Sequence, residues 1–116
     1  MFRFQKEYTF EKRSSEAIRV RERFPDRVLV IVETNNNLPP LDKNKYLVPN
    51  DFTVGQFITV LRKKIDISPD KAIYFFVNNT VPSVTKLMSQ LDQQFRSSDG
   101  YLYIKLEDEN TFGLVI

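Results

Sequence analysis

The chain reads as an α+β roll: a mixed four-stranded sheet carrying helices, preceded by an N-terminal helical extension. Three observations predict it. Val28-Leu29-Val30-Ile31-Val32 is an unbroken aliphatic run of strand type. Val54, Phe57, Ile58, Leu61 and Ile65 fall at i, i+3, i+4, i+7 and i+11, the stripe of an amphipathic helix. The elements follow in the order helix, strand, strand, helix, strand, helix, strand, which suits one sheet with a crossing helix.

At the N-terminus, Phe2, Phe4 and Tyr8 form a short aromatic arm or a first helical turn. Thr9 is placed to cap a helix over about 10–23, with Phe10, Ala17, Ile18 and Phe24 expected on its apolar side and Pro25-Asp26 as its stop. A strand follows from Arg27 to Glu33, then an Asn-rich connection with Pro39-Pro40. Lys45-Tyr46-Leu47-Val48 reads as the second strand, ended by Pro49. Asp51 or Thr53 caps the next helix, and Ser68-Pro69-Asp70 makes a turn. Residues 72–77 read as a strand buried on both faces. Val84, Leu87, Met88, Leu91 and Phe95 repeat helical spacing, and Tyr101 to Leu106 is the last strand. This order is that of a ubiquitin-like β-grasp roll, with residues 1–24 as the helical subdomain and 25–113 as the ubiquitin-like domain.

Composition narrows the chemistry. With 116 residues, 41% of them hydrophobic, the chain can bury an ordinary single core. It has neither cysteine nor histidine, so it offers no thiolate nucleophile, imidazole base or usual zinc ligand, and no metal site is expected. The longest apolar run, Ala72 to Val77, is far too short to span a bilayer, and charges interrupt the N-terminal segment where a signal peptide would need apolar residues. A soluble, cytoplasmic protein is expected. Residues 1–27 hold eight Lys/Arg against five Asp/Glu, a balance that suits an acidic tubulin-like tail or an anionic membrane surface. Glu107, Asp108 and Glu109 lack a basic or nucleophilic partner, so no catalytic residue is expected.

Near the end stands Thr111-Phe112-Gly113, followed by Leu114-Val115-Ile116. A glycine backbone without a side chain can thread a narrow active-site channel, as a processing protease would require. Other blocks are Phe10-Glu11-Lys12-Arg13, Phe24-Pro25-Asp26-Arg27-Val28, Asp42-Lys43-Asn44-Lys45-Tyr46-Leu47-Val48-Pro49, Thr53-Val54-Gly55-Gln56-Phe57, Phe76-Val77-Asn78-Asn79, Leu102-Tyr103-Ile104 and Glu109-Asn110-Thr111-Phe112-Gly113. In these blocks, from about residue 8 to 113, the chain resembles the autophagy ubiquitin-like modifiers of the GABARAP and microtubule-associated light-chain type.

The resemblance implies a modifier and not an enzyme. A cysteine protease would remove the propeptide Leu114-Val115-Ile116, and activating and conjugating relay enzymes would join Gly113 to phosphatidylethanolamine, with no other cofactor. Two acyl chains, at ~0.8 kcal/mol per buried methylene, would then hold the domain on autophagosomal or vesicle membranes. The resemblance also implies binding of cargo receptors through short aromatic-x-x-aliphatic motifs, added as a strand to the edge at Lys45–Val48. Its aromatic pocket would use Glu16, Val20, Leu29, Lys45, Leu47 and Tyr101; its aliphatic pocket Tyr46, Val48, Pro49, Phe52, Phe57, Val60 and Leu61. Lys43 and Lys64, with Lys45, would receive acidic flanking residues, and nucleic acid is not among the partners. Leu29 replaces a proline common in the family, Lys64 a common arginine, and Lys105-Leu106-Glu107-Asp108 an aromatic and small-polar run. An alternative use of the same fold is an unconjugated adaptor linking vesicles or receptors to microtubules.

Overall fold

The computed structural model describes residues 1–108, so Gly113 and the three residues after it lie outside the described residues. The elements are α1 (Arg3–Glu7), α2 (Phe10–Arg23), β1 (Arg27–Thr34), β2 (Lys45–Pro49), α3 (Val54–Lys64), β3 (Ile73–Phe76), α4 (Met88–Phe95) and β4 (Leu102–Asp108). The sheet order is β2-β1-β4-β3. β1 and β4 run parallel at its centre, with Val30 opposite Leu102, while β2 and β3 are antiparallel edge strands.

Alternation along β1 builds two hydrophobic clusters from one strand. Val28, Val30 and Val32 face the main core, where α3 and α4 contribute Val54, Phe57, Leu61, Met88 and Leu91. Leu29 and Ile31 face the other way, into a smaller cluster with Phe4, Ala17 and Tyr101. Thr53 caps α3 by accepting from the Gln56 N–H at 3.1 Å, while Gln56 Oε1 accepts the Thr53 N–H at 2.8 Å. This reciprocal box satisfies two end donors and makes Thr53 the cap instead of Asp51.

Several expectations are corrected. Phe10, Ile18 and Phe24 do not form a buried face; they are 45%, 59% and 37% exposed. The inward stripe of α2 is Arg13, Ala17, Val20 and Arg21. Only Ala17 on it is fully buried; Val20 packs half-buried on the smaller cluster, and the two guanidinium groups tie α2 to Asp99, Asp92 and the Gly100 carbonyl. β3 is half-buried along most of its length because it lies at a sheet edge and lacks a neighbour on one side. It also ends at Phe76, where Val77 instead pairs with Thr80 across the positive-φ residues Asn78 and Asn79. Val84 precedes α4 and is 58% exposed, outside the helical stripe. β4 extends to Asp108, beyond the expected Leu106.

α1 is docked by one carboxylate. Glu33, buried on β1, accepts the N–H groups of Arg3 at 2.8 Å and Phe4 at 2.9 Å. Those are orphan donors of the first helical turn, so Glu33 both satisfies them and sets a negative charge at that end. Phe4 is thereby held on Tyr101, with ring centroids 5.0 Å apart in an edge-to-face arrangement.

Candidate peptide-binding edge

The outer side of β2 carries the candidate site. Val32 donates its N–H to the Asn44 carbonyl at 2.8 Å. In an antiparallel ladder the backbone alternates, so Asn44, Tyr46 and Val48 turn their peptide groups toward β1. The N–H and C=O of Lys45 and Leu47 therefore point away from the sheet. Pro49, without an N–H, closes this outward donor row.

The side chains of β2 alternate with the same period. Lys45 and Leu47 stand on the face of the smaller cluster, and Tyr46 and Val48 on the face of the main core. One free edge thus separates two differently built surfaces.

On the first surface the structure brings together all six residues assigned to the aromatic pocket. Leu29 and Tyr101 are fully buried as its base, and Val20 and Leu47 pack half-buried against them. Glu16 and Lys45 form an ion pair above, and the Lys45 ammonium lies 5.3 Å from the centroid of Phe4. Burial alone would raise the Glu16 pKa, but hydrogen bonding and charge from Lys45 hold it below the ordinary value. Beside this pair, a groove of about 420 Å³ runs between α1 and α2, lined by Phe4, Tyr8, Lys12, Arg13, Glu16 and Arg19.

On the second surface, Val48, Phe57 and Leu61 belong to the main core and are buried. Tyr46, Phe52 and Val60 pack half-buried against them, so these three supply most of the accessible apolar surface. Pro49 is also half-buried. Tyr46 meets Phe57 edge-to-face at 5.7 Å and donates its hydroxyl to the Lys43 carbonyl at 2.9 Å. Lys43 and Lys64 are exposed, with Lys64 in the last turn of α3.

A buried polar net holds the first surface in place. Asp99 accepts from Arg13 Nε at 2.8 Å, Tyr103 Oη at 2.6 Å and the Tyr101 N–H at 3.0 Å. Burial pushes its carboxyl up, yet these donors outweigh burial and hold the pKa below the usual range. The Tyr103 phenol is raised well above its ordinary value by burial and then by its bond to Asp99. Phe4, Arg13 and Asp99 were not among the sequence-assigned site residues. The spacing of Arg13, Ala17 and Arg21 at i, i+4 and i+8 was the available signal for the α2 stripe.

The roll with its helical extension and free β2 edge defines a ubiquitin-like protein. The family described as "Autophagy protein Atg8 ubiquitin like" matches residues 12–113. The chain is 49% identical over 112 residues to Autophagy-related protein 8 of Saccharomyces cerevisiae, covering 95% of this chain and 96% of the relative. It is 48% identical over 113 residues to Autophagy-related protein 8d of Arabidopsis thaliana, covering 96% and 94%. Among solved structures, Trypanosoma brucei ATG8 aligns with a TM-score of 0.88 at 38% identity, covering 94% of this chain and 96% of that one. Plasmodium falciparum Atg8, solved in complex with a Plasmodium falciparum Atg3 peptide, aligns at 0.84 and 35% identity, covering 91% and 95%. This chain belongs to the Atg8 family of autophagy ubiquitin-like proteins.

Proposed function

We propose that the protein is a membrane-conjugated modifier that recruits partners through the β2 edge. A processing cysteine protease removes Leu114-Val115-Ile116, and Gly113 becomes the carboxyl group that activating and conjugating enzymes transfer to phosphatidylethanolamine. The chain supplies a carboxylate and a docking surface, while the cysteines of the relay belong to its partners. It is therefore not itself an enzyme. The free protein is cytoplasmic, and the conjugate resides on autophagosomal membranes. Among the described residues no helix is long and apolar enough to cross a membrane. The two acyl chains of the conjugated lipid supply the anchor.

The observation that carries the recruitment reading is the β2 edge, with outward backbone groups at Lys45 and Leu47 between two apolar surfaces. An extended aromatic-x-x-aliphatic segment can add there as a strand, its aromatic residue toward Glu16, Val20, Leu29, Lys45, Leu47 and Tyr101. Its aliphatic residue goes toward Tyr46, Val48, Pro49, Phe52, Phe57, Val60 and Leu61, and acidic flanks meet Lys43, Lys45 and Lys64. Burying the two anchors contributes roughly 1.5–3 kcal/mol each, beside the main-chain hydrogen bonds of the added strand, and the costs of association and ordering are subtracted from that sum. Support for the conjugation reading comes from the Plasmodium relative, which was captured with an Atg3 peptide.

Intact mass of the native protein from cytosolic and membrane fractions tests conjugation. Loss of Leu-Val-Ile in the soluble pool and a phosphatidylethanolamine-sized gain on membranes are expected, both abolished by Gly113→Ala. Full-length mass in both fractions would leave an unconjugated scaffold.

A further inference from the structure

An aromatic residue followed three positions later by Leu, Ile or Val occurs five times in this chain. Four of these pairs lie in or beside α3, β3 and β4, where the fold already pairs the backbone. The fifth, Phe112-Gly113-Leu114-Val115, follows the last strand and includes residues that processing removes. In an extended segment, positions three apart project to opposite faces. The β2 edge is built to match, with Lys45 and Leu47 beside one surface and Tyr46 and Val48 beside the other. Residues 109–116 carry a single charge, Glu109, opposite in sign to Lys43, Lys45 and Lys64 around the edge.

We infer that the uncleaved tail is a ligand for the β2 edge of a second copy of this chain, with Phe112 entering the aromatic pocket and Val115 the aliphatic one. The inference rests on the motif-binding reading given above. Strand register decides between a second copy and the chain's own edge. Lys45 is level with Ile31, which is level with Tyr103, five residues before Asp108. A tail leaving Asp108 must therefore return about 16 Å along the strands and cross three strand spacings, about 14 Å, to stand outside β2. That path is about 21 Å, whereas the four residues from Asp108 to Phe112 span at most about 14 Å. The contact is thus made between copies, head to tail and by unlike surfaces, so it can extend from one precursor to the next. Cleavage after Gly113 takes away Val115 and with it the second anchor. One cut both creates the carboxylate and clears the edge for receptors.

Sedimentation equilibrium and amide NMR test this on the full chain, its Val115→Ser variant, and the chain ended at Gly113, which keeps every described element. From micromolar to millimolar concentration, the full chain should rise above monomer mass and shift its Lys45–Val48 amides progressively. The other two should need at least about tenfold more protein for the same shift, the effect of losing one buried aliphatic anchor. A synthetic Glu107–Ile116 peptide added to the Gly113-ended chain should shift the same amides. A peptide stopping at Gly113 should bind at least about tenfold more weakly. Equal binding of the two peptides would overturn the inference, as would a full chain that stays monomeric with unmoved amides. Shifts in the full chain that do not depend on concentration would overturn it in favour of closure on its own edge. An acidic-flanked Trp-x-x-Leu peptide, titrated into the Gly113-ended chain, separates failure of this inference from failure of the motif-binding reading. If that peptide shifts Lys45–Val48 and the tail does not, only the self-ligand falls; if neither does, both readings fall.

Discussion

Arg21 grips Asp92 with both terminal nitrogens, each 2.9 Å from a different carboxylate oxygen. Its Nε also donates to the Gly100 carbonyl at 2.7 Å, so one side chain joins α2, α4 and the turn before β4. Asp92 is buried, whereas the second cation on it, Arg96, is 46% exposed. Removing Arg21 leaves a buried carboxylate short of its main partner, and Arg21→Ala should lower unfolding free energy by about 2–4 kcal/mol. Arg96→Ala should cost under about 1 kcal/mol. Urea denaturation of the two variants measures both; equal losses would contradict the unequal division of labour.

The β2 edge makes a prediction at single-residue resolution. Lys45 and Leu47 amides face outward in the free protein, and Tyr46 and Val48 amides face β1. Hydrogen exchange of Lys45 and Leu47 should be about tenfold or more faster than that of their two neighbours. A bound motif peptide should slow Lys45 and Leu47 selectively. Uniform protection along β2 before the peptide is added would rule out this phase of the ladder.

Gly100 has φ of +96°, and a Cβ there would stand 2.7 Å from the Cβ of Ala17. Gly100→Ala therefore meets both backbone strain and a collision with α2, and a loss of about 1–3 kcal/mol is expected. Adding Ala17→Gly should recover the collision part only, after its own helix cost of about 1 kcal/mol is subtracted. Melting of the single and double variants separates the two contributions. Full recovery would mean that the positive φ is unstrained for alanine.

Asp99 sets an acid limit on stability. Its folded pKa lies below the ordinary value, so its stabilising contribution is present above the unfolded pKa, near 3.9, and is lost as pH falls through the folded value. Asp99→Asn should be less stable than wild type at pH 7, and the gap should narrow below about pH 4. Denaturant melts between pH 7 and pH 2 follow this. A constant gap would show that Asp99 does not titrate with folding.

The main core was legible because its signals were periodic. Five aliphatic residues from Val28 and the Val54–Ile65 stripe announce a strand and a helix wherever they sit. The α2 face was misread because Phe10 and Ile18 are apolar yet exposed, while Arg13 and Arg21 point inward. Hydrophobicity alone ranks those four residues in the wrong order. What turns the arginines inward is Asp92 and Asp99, more than seventy positions away. Similarly, Val84 keeps helical spacing with Leu87 and Leu91, but its carbonyl accepts the Gly55 N–H at 2.9 Å, which keeps it outside α4. Strand edges are equally non-local. Residues Ile73 to Phe76 look like a central strand until the order β2-β1-β4-β3 is known. The candidate site divided the same way: the edge residues were visible, whereas Phe4 reaches Tyr101 only because Glu33 docks α1.

The parallel pairing of β1 with β4 has a mechanical consequence. The chain leaves β4 at Asp108, travelling in the direction of β1, and the β2 edge lies on the opposite side of β1. A pull along the strand axes between a segment held on β2 and the chain downstream of Asp108 slides strands past one another instead of peeling them apart. The β1–β2 and β1–β4 ladders then take the load in shear, with many hydrogen bonds strained together. Cargo held on one side and an anchor on the other would draw on the sheet in its strongest direction.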